Sequence, residues 1–237
     1  MTKFIPKLFK TDMVKAIIRD QKDVTRRLVG IPSDYKPYER YTDNQKKSKY
    51  RFYKSYDEYL KVPDIINVDM PCNIGDIIWV RETFFQTEDW MDLSLIAENS
   101  STQFVYKADV EYGDNKHYGV KWKPSLFMPK EACRLFLVVK EVRVSRLHEI
   151  TKEQCIDEGI SSVDDKPILY NNYLFDKDVT WDGYGSIKKT YGFTNPIDSY
   201  HSLWDSINGK KSHCCWDANP YVWEIIFEKI EKPNNFI

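Results

Sequence analysis

The hydrophobic pattern of the chain is clearest in four segments that predict β-strands. Every second residue from 221 to 227 is large and apolar, which predicts a final strand with one buried face and with Glu224 on its polar face. Residues 77–82 are apolar on both faces and predict a central strand of a sheet. Residues 103–107 predict a further strand, and residues 134–147 predict the longest one.

Three other segments have the spacing and the end signals of helices. A one-sided apolar stripe predicts a helix that begins at Thr11 and ends near Asp20. Thr151 is the predicted N-cap of a second helix, which Gly159 ends. Residues 198–207 predict a third helix. Because strands and helices do not alternate as βαβ units, the order favours the α+β class, with a small β-barrel as the core.

Two stretches interrupt this pattern, and we interpret them as insertions in a single domain of residues 1–237. Residues of about 31–70 interleave tyrosine with lysine and arginine, whereas residues of about 160–195 are polar and aromatic. In the first stretch, Ser55 and Glu58 have capping-box spacing and predict one short helix. The interleaved tyrosines suit either a track for single-stranded nucleic acid or the packing face of a helix.

The composition fits a globular protein with a core of its own. Among 237 residues, 42% are hydrophobic and 30% are charged, which excludes wholesale disorder, and this length supports a core without disulfides or metal. The five cysteines form no C-x-x-C pair, so we expect reduced thiols. His213, Cys214 and Cys215 lack the spaced partners of a zinc site. No apolar run is long enough for a membrane span or a signal peptide, which predicts a cytoplasmic protein.

Charge is balanced over the whole chain but not along it. Residues 1–61 hold 16 basic and 8 acidic side chains, a net charge of +8, and the rest carries −9, which gives the total of −1. This asymmetry predicts that the basic part faces a polyanion, with nucleic acid as the usual candidate. The alternative is that the two parts neutralise each other. The pI of about 6.4 argues against tight, nonspecific binding of duplexes.

Motifs that the chain lacks exclude several classes of enzyme. It has no G-x-x-x-x-G-K-[ST], G-x-G-x-x-G, G-x-S-x-G or H-E-x-x-H segment, so we expect neither a cofactor nor a catalytic metal. The four histidines lie in no recognisable catalytic setting. Any catalysis is therefore expected to use lysine, threonine and carboxylate side chains.

Seven blocks of sequence carry a family resemblance. They are 13–17 (MVKAI), 22–27 (KDVTRR), 75–84 (GDIIWVRETF), 122–125 (WKPS), 128–129 (MP), 203–208 (LWDSIN) and 219–223 (NPYVW). In this order the blocks resemble ASCH-domain proteins, in particular the long versions common in phage genomes, over nearly the whole chain apart from the two insertions. The resemblance implies a PUA-like β-barrel with a cleft suited to nucleic acid or a nucleobase. A phage protein of this kind lies in the host cytoplasm.

The resemblance also implies a catalytic site. Some small bacterial ASCH proteins are amidohydrolases that remove the acyl group from the exocyclic amine of acetylated cytidine, with Lys, Thr and Glu as catalytic residues. By motif these residues correspond to Lys22, Thr25 and Glu158. The chain departs from the family pattern at Asp23, where threonine is usual, and at Phe127, where relatives often carry histidine. The first departure places a negative charge beside the lysine.

Two catalytic mechanisms are compatible with these residues. Thr25 attacks the acyl carbon if a neutral Lys22 takes its proton, which requires a lysine pKa lowered from about 10.4 to about 7, at roughly 4–5 kcal/mol. Alternatively, a charged Lys22 stabilises the developing oxyanion while Glu158 steers a water, which requires no such shift. The alternative without a catalytic function is a polar strand start at Lys22 and Thr25 and a solvated helix residue at Glu158.

Further residues are candidates for binding the substrate. Arg26 and Arg27 on a short strand are either phosphate contacts or a solvated strand end, and at most one of them points into a cleft. Arg81 and Glu82 are either a pocket pair at the end of a central strand or an ordinary salt bridge. Trp122, between two lysines, is a candidate for base stacking. The full set of predicted contacts is Arg26, Arg27, Arg81, Glu82, Trp122 and Ser125.

Two further functions compete with hydrolysis. A non-catalytic RNA- or DNA-binding module would use the basic first third of the chain, with an affinity that falls steeply with salt. A ribonuclease of the same family would cleave labelled RNA without added metal. All three hypotheses share a nucleic acid or a modified nucleoside as the expected partner.

Overall fold

The computed structural model of the chain describes residues 2–45, 47–57, 62–86, 104–110, 121–160, 170–171, 173 and 192–236. Its strands are β1 (Phe4–Leu8), β2 (Val24–Leu28), β3 (Lys36–Thr42), β4 (Ser48–Asp57), β5 (Val62–Asp69), β6 (Ile77–Arg81), β7 (Phe84–Gln86), β8 (Phe104–Tyr106), β9 (Phe136–Arg146) and β10 (Tyr221–Ile230). Its α-helices are α1 (Thr11–Ile18), α2 (Lys152–Asp157) and α3 (Pro196–Asn208). This content confirms the predicted α+β class. In the described residues, no helix is both long and apolar enough to cross a membrane.

The strands form three sheets. The largest has the order β1-β6-β9-β10-β2, in which β1 runs parallel to β6 and β6 runs antiparallel to β9. Strands β3-β4-β5 form a separate antiparallel sheet, and β7 pairs with β8. Since β1 and β2 each have one neighbour, the five-stranded sheet is open in the part of the chain that the structure describes, and the predicted closure into a barrel is not observed there.

The chain divides into two compact units, each built from separate stretches of sequence. Unit 1 contains residues 1–23, 74–140 and 226–237. Its hydrophobic core surrounds the ring of Phe236, whose centroid lies 4.8 Å from that of Phe136 and 5.1 Å from that of Phe4. These edge-to-face contacts are the favoured geometry for aromatic pairs, and they fix the C-terminal segment within the unit.

Unit 2 contains residues 24–73 and 141–225. Phe52 on β4 is fully buried, and its ring lies 5.9 Å from that of Tyr221 and 6.5 Å from that of Trp223. The three-stranded sheet therefore packs one face against β10. Helix α3 adds the buried Tyr200 and Trp204 to this unit.

The strands predicted at 77–82, 103–107, 134–147 and 221–227 are confirmed as β6, β8, β9 and β10. Strand β9 is also the longest, as predicted, with 11 residues. In contrast, the short helix predicted from Ser55 is wrong, because β4 continues through Asp57 and pairs with β5 there. The capping-box spacing is a local signal, and the ladder of backbone hydrogen bonds outweighs it. Glu58 lies outside the described residues.

The helix at Thr151 is confirmed at both ends. The Thr151 hydroxyl accepts a hydrogen bond from the Gln154 N–H at 3.2 Å, and the Gln154 side chain accepts one from the Thr151 N–H at 3.1 Å. Gly159 then adopts a φ of +88°, which ends the helix and favours glycine at this position. The other helices are shifted slightly: Lys10 rather than Thr11 is the N-cap of α1, and α3 begins at Pro196.

Candidate functional site

The segment that follows α1 leads into the buried edge strand β2. Lys22 is 5% exposed, and the first three residues of β2, which end at Arg26, are buried as well. The Val29 N–H donates to the Tyr221 C=O at 3.0 Å, and the Phe227 N–H donates to the Asp23 C=O at 2.8 Å. These bonds align β2 antiparallel to β10, which places Arg26 beside the middle of β10.

Arg26 binds three acceptors that are distant in sequence. Its Nη1 donates to Glu158 Oε1 at 3.2 Å, and its Nη2 donates to Glu224 Oε1 at 2.8 Å and to Gln154 Oε1 at 3.0 Å. Glu224 also accepts a hydrogen bond from the Ser145 hydroxyl at 2.7 Å. The side chains of Arg26, Glu158 and Glu224 are 1%, 4% and 9% exposed. One arginine thus joins β2 to α2 and to β10.

Two more residues belong to this charged network. Burial opposes the charge of Arg26, but Glu158, Tyr200 and Glu224 raise the Arg26 pKa above its ordinary value. Burial lowers the pKa of Arg27, with Glu158 and Tyr200 acting against it. Burial also raises the pKa of Tyr200 far above its ordinary value, and Glu158 adds to that rise. We call Arg26, Arg27, Glu158, Tyr200 and Glu224 the Arg26 cluster.

The structure buries all three residues that the resemblance implies for catalysis. Lys22, Thr25 and Glu158 are 5%, 4% and 3% exposed. Glu158 is the C-cap of α2, where it contacts Arg26, the residue after Thr25. The alternative of a solvated helix residue at Glu158 is therefore wrong. Lys22 is a β-bridge residue between the turn that follows α1 and the start of β2, three positions ahead of Thr25 in the sequence.

The two predicted arginines of β2 do not form a solvated strand end. Arg26 is buried and Arg27 is half-buried. Both interact electrostatically with Glu158 and Tyr200, although adjacent strand residues alternate in direction. To bind a phosphate, Arg26 would have to contact it while the same guanidinium remains paired with Glu158 and Glu224.

Glu224 also belongs to this site, although the sequence pattern placed it on a polar outer face of the final strand. Strand β10 is buried on both faces from Tyr221 to Ile225, and Glu224 is 7% exposed. Its carboxylate is compensated by Arg26 and by the Ser145 hydroxyl. Apolar residues on both sides of Glu224 at alternate positions were the signal for a strand with two buried faces.

Unit 1 also contains a buried carboxylate that an arginine binds. Glu82, 1% exposed, accepts two hydrogen bonds from Arg134, Nε to Oε1 at 2.9 Å and Nη2 to Oε2 at 3.0 Å. Arg134 Nη1 also donates to Asp109 Oδ2 at 2.6 Å, and its guanidinium lies 3.9 Å from the ring centroid of Tyr106. We call Glu82, Tyr106, Asp109 and Arg134 the Arg134 cluster.

Burial determines the direction in which the pKa values of Glu82 and Tyr106 shift. It raises the pKa of Glu82 although Arg134 acts in the opposite direction, and it raises the pKa of Tyr106 to about 12. Burial also raises the pKa of the nearby Cys133 thiol to about 12, which leaves this cysteine protonated and a poor nucleophile at neutral pH.

The predicted pair of Arg81 and Glu82 is not formed, because neighbouring strand residues point to opposite sides. Glu82 binds Arg134, whereas Arg81 donates through Nη2 to the Leu126 C=O and lies 5.4 Å from the ring centroid of Trp79. The structure therefore brings Arg81 to the turn that Ser125 begins. Trp122, the remaining predicted contact, is half-buried just ahead of this turn.

The described part of the chain contains no group of three or more His, Cys, Asp or Glu side chains that could hold a metal ion. Comparisons with protein-family models, with curated proteins and with solved structures found no match. The ASCH resemblance and the roles that it implies therefore stay predictions from the sequence blocks.

Proposed function

We propose that the protein is an ASCH-type protein with a PUA-like core, which binds a nucleobase and hydrolyses the acyl amide of an acylated cytosine-type nucleoside. The supporting observation is the ion pair between Arg26 and Glu158 at 3.2 Å. It joins the segment 22–27 to the end of α2, and the resemblance assigns catalytic residues to these two parts of the chain. A buried charged network is typical of functional sites, although structural ion pairs share this property.

In the proposed reaction, a water attacks the acyl carbon of the substrate. Glu158, positioned by Arg26, orients this water and accepts one of its protons as the new C–O bond forms. The Lys22 ammonium stabilises the oxyanion that develops on the carbonyl oxygen. The C–N bond then breaks and the proton passes to the exocyclic amine, which gives a carboxylic acid and the free nucleoside. Thr25 contributes a hydrogen bond to the substrate.

The chain offers a matched pair of variants for the test, Glu158→Gln and Glu82→Gln. Each replaces a nearly inaccessible carboxylate that an arginine holds, one in each unit. With cytidine acetylated on its exocyclic amine as the substrate and chromatographic detection of cytidine, we expect Glu158→Gln to lower turnover by about 100-fold or more. Glu82→Gln is expected to stay within about 3-fold of the wild type, because Glu82 takes no part in the proposed reaction and its carboxylate binds Arg134 instead of forming the predicted substrate-binding pair with Arg81.

Three outcomes would contradict the proposal: no cytidine formed by the folded wild type, unchanged turnover in Glu158→Gln, or equal losses in both variants. A further variant, Thr25→Val, removes the hydroxyl at nearly constant volume. A loss as large as that of Glu158→Gln would move the attack from water to Thr25.

The outward face of β3–β5 favours a second candidate function, a non-catalytic module that binds single-stranded nucleic acid. Phe52 faces inward, so Tyr53 beside it faces outward. Tyr38 and Tyr53 are 64% and 39% exposed with ring centroids 6.2 Å apart, and the Arg51 guanidinium lies 4.5 Å from the ring centroid of Tyr41. Exposed aromatic rings beside cations are the features with which sheets stack unpaired bases. Since these tyrosines lie on strands, their interpretation as a helix packing face is wrong.

Binding of a labelled single-stranded oligonucleotide tests this candidate. The double variant Tyr38→Leu/Tyr53→Leu is expected to bind at least about 5-fold more weakly than Tyr38→Phe/Tyr53→Phe, which keeps the aromatic rings. Wild-type affinity is expected to fall steeply with salt. The absence of binding at low salt would remove the candidate, and shortening of the RNA during the assay would instead support the ribonuclease hypothesis.

A further inference from the structure

A short turn in unit 1 exposes two neighbouring apolar side chains. The turn Ser125–Phe127 is a single 3₁₀ turn, in which Leu126 is 57% exposed and Phe127 is 67% exposed. Phe127 has the highest exposed fraction among the large hydrophobic side chains that the structure describes. Neither residue contributes to the core, so their retention at the surface calls for a functional explanation.

Contacts from the end of β6 hold this turn in place. Arg81 Nη2 donates to the Leu126 C=O, and the Glu82 N–H donates to the sulfur of Met128 at 3.1 Å. Met128 is 1% exposed and anchors the chain directly after Phe127. The Phe127 N–H also donates to the Pro124 C=O at 2.9 Å. A ligand that contacts the Phe127 ring therefore meets a preorganised element, which reduces the entropy lost on binding.

Lysines lie on both sides of the turn in the sequence, and Glu131 follows directly after the last of them. Residues 121–130 contain Lys121, Lys123 and Lys130 and no acidic residue, and all three lysines are exposed. Lys123 Nζ lies 3.5 Å from the side-chain oxygen Oε1 of Gln86, and Lys130 Nζ lies 5.9 Å from the ring centroid of Phe236. In the described part of the chain, none of the three lysines forms an ion pair. Arg81 adds a fourth positive charge at the base of the turn.

We infer that this turn is a base-stacking element for single-stranded nucleic acid, in which the Phe127 ring packs against an unpaired base and the lysines bind the neighbouring phosphates. The inference rests on the proposed binding of a nucleic acid and adds a binding element to it. Aromatic stacking combined with cations along the backbone is the general mode of single-strand recognition. Two apolar side chains offer the area of one base, which is far less than an interfacial membrane helix or a protein interface requires.

The test measures fluorescence anisotropy of labelled oligouridine and oligothymidine of about 12 nucleotides with the full chain. Phe127→Leu is expected to weaken binding by about 5- to 100-fold, whereas Phe127→Tyr, which keeps a stacking ring, is expected to stay within about 2-fold of the wild type. The matched control is Ile74→Ala, because Ile74 is also an apolar residue of unit 1 and is 56% exposed. We expect Ile74→Ala to bind like the wild type.

A second arm tests the lysines. The triple variant with Lys121, Lys123 and Lys130 replaced by glutamine is expected to reduce the slope of log affinity against log salt by about one for each phosphate that a lysine no longer binds. The two oligonucleotides differ in the sugar and in the C5-methyl group of the base, so their comparison shows whether these two differences together affect binding. Thermal unfolding of each variant checks that the fold is retained.

The outcomes separate this inference from the proposed function. If the wild type binds neither oligonucleotide at low salt, nucleic-acid binding itself fails. If the wild type binds and Phe127→Leu binds equally well, only the stacking element is wrong. Phe127-dependent binding to vesicles of phosphatidylserine and phosphatidylcholine, without binding to the oligonucleotides, would also overturn the inference and identify a membrane contact.

Discussion

Each unit of the molecule contains an arginine that binds a buried carboxylate, but the two arginines are shared in different ways. In the Arg134 cluster, the guanidinium forms two parallel hydrogen bonds with Glu82 and a third with Asp109. The Arg134 side chain is 28% exposed, and that of Asp109 is 38% exposed. The cluster is therefore a bidentate pair with its outer end in water.

In the Arg26 cluster, no carboxylate takes both ends of the guanidinium. Arg26 divides its hydrogen bonds among Glu158, Gln154 and Glu224, and its side chain is 1% exposed. The acceptors lie on two elements, α2 with its C-cap and β10. The side chains of Arg26, Glu158 and Glu224 are thus almost entirely shielded from bulk solvent.

The comparison teaches which of the two clusters resembles a functional site. A bidentate pair is complete in itself and orients two side chains, as structural ion pairs do. A divided arginine instead fixes the relative positions of two carboxylates and keeps Glu158 in a defined orientation. The Arg26 cluster also adjoins Thr25 in sequence, and it brings charge of both signs into a nearly water-free place, where electrostatic effects on a bound substrate are large.

The largest expected effect is the loss of stability when Arg26 is removed. Arg26→Met leaves Glu158 and Glu224 buried without the arginine that binds both, and we expect it to lower the free energy of unfolding by about 3–5 kcal/mol. Arg134→Met is expected to lose about 1–3 kcal/mol, because water reaches the vacated place and compensates Glu82. Urea unfolding at neutral pH, with equal slopes for all variants, measures both values.

The same substitution at an exposed arginine provides the control. Arg143 pairs with Glu141, with side chains that are 53% and 43% exposed. Such a surface pair contributes at most about 1 kcal/mol, so Arg143→Met is expected to remain close to the wild type. An equal loss in Arg26→Met and Arg134→Met would remove the distinction between the two clusters.

A smaller effect is expected from the aromatic ring of the Arg134 cluster. The Tyr106 hydroxyl donates to the Ala132 C=O at 2.7 Å, and its ring lies beneath the Arg134 guanidinium. Tyr106→Phe keeps the ring and loses the hydrogen bond, which is expected to cost about 1 kcal/mol. Tyr106→Leu also loses the cation–π contact, and we expect a further loss of about 0.5–1 kcal/mol in the same unfolding assay.

A double-mutant cycle with Arg134→Met assigns this second loss. If stacking holds the guanidinium, the additional loss from leucine disappears in the Arg134→Met background. A loss that persists there would show that the tyrosine ring stabilises unit 1 by its own packing.

Sequence reasoning located elements whose signals are local. Thr151 and Gly159 mark both ends of α2, and the apolar run at 77–82 predicted β6 in the interior of a sheet. The Ser55 prediction failed for the same reason that the Thr151 prediction succeeded: a capping pattern describes only its own few residues. At Thr151 the surrounding fold agrees with that pattern, and at Ser55 the pairing of β4 with β5 overrides it.

Local sequence signals could not predict the contacts within the candidate site. Glu224 and Arg26 are separated by 198 positions, and Glu82 and Arg134 by 52. The sequence shows that charged residues occur at these positions, but it does not show which of them form contacts. The alternation of the large residues from 221 to 227 placed Glu224 on an outer face, although the apolar Val222 and Ile226 on the same face as Glu224 indicated that this face is buried as well.

The smallest expected effect is a difference in pH dependence between a buried and an exposed carboxylate. Burial raises the pKa of Glu82, so above its ordinary value of about 4.3 the folded chain binds more protons at this site than the unfolded chain does. The contribution of Glu82 to the free energy of unfolding therefore falls as the pH rises through the pKa of Glu82 in the folded chain.

Hydrogen bonding to Arg143 lowers the pKa of Glu141, so the contribution of Glu141 has the opposite sign and is lost as the pH falls. Urea unfolding between about pH 2.5 and pH 7 covers the pH range in which both contributions change. Relative to the wild type, Glu82→Gln is expected to gain stability with rising pH and Glu141→Gln to lose it. Slopes of the same sign would mean that Arg134 outweighs burial at Glu82, and the Arg134 cluster would then behave like a surface ion pair.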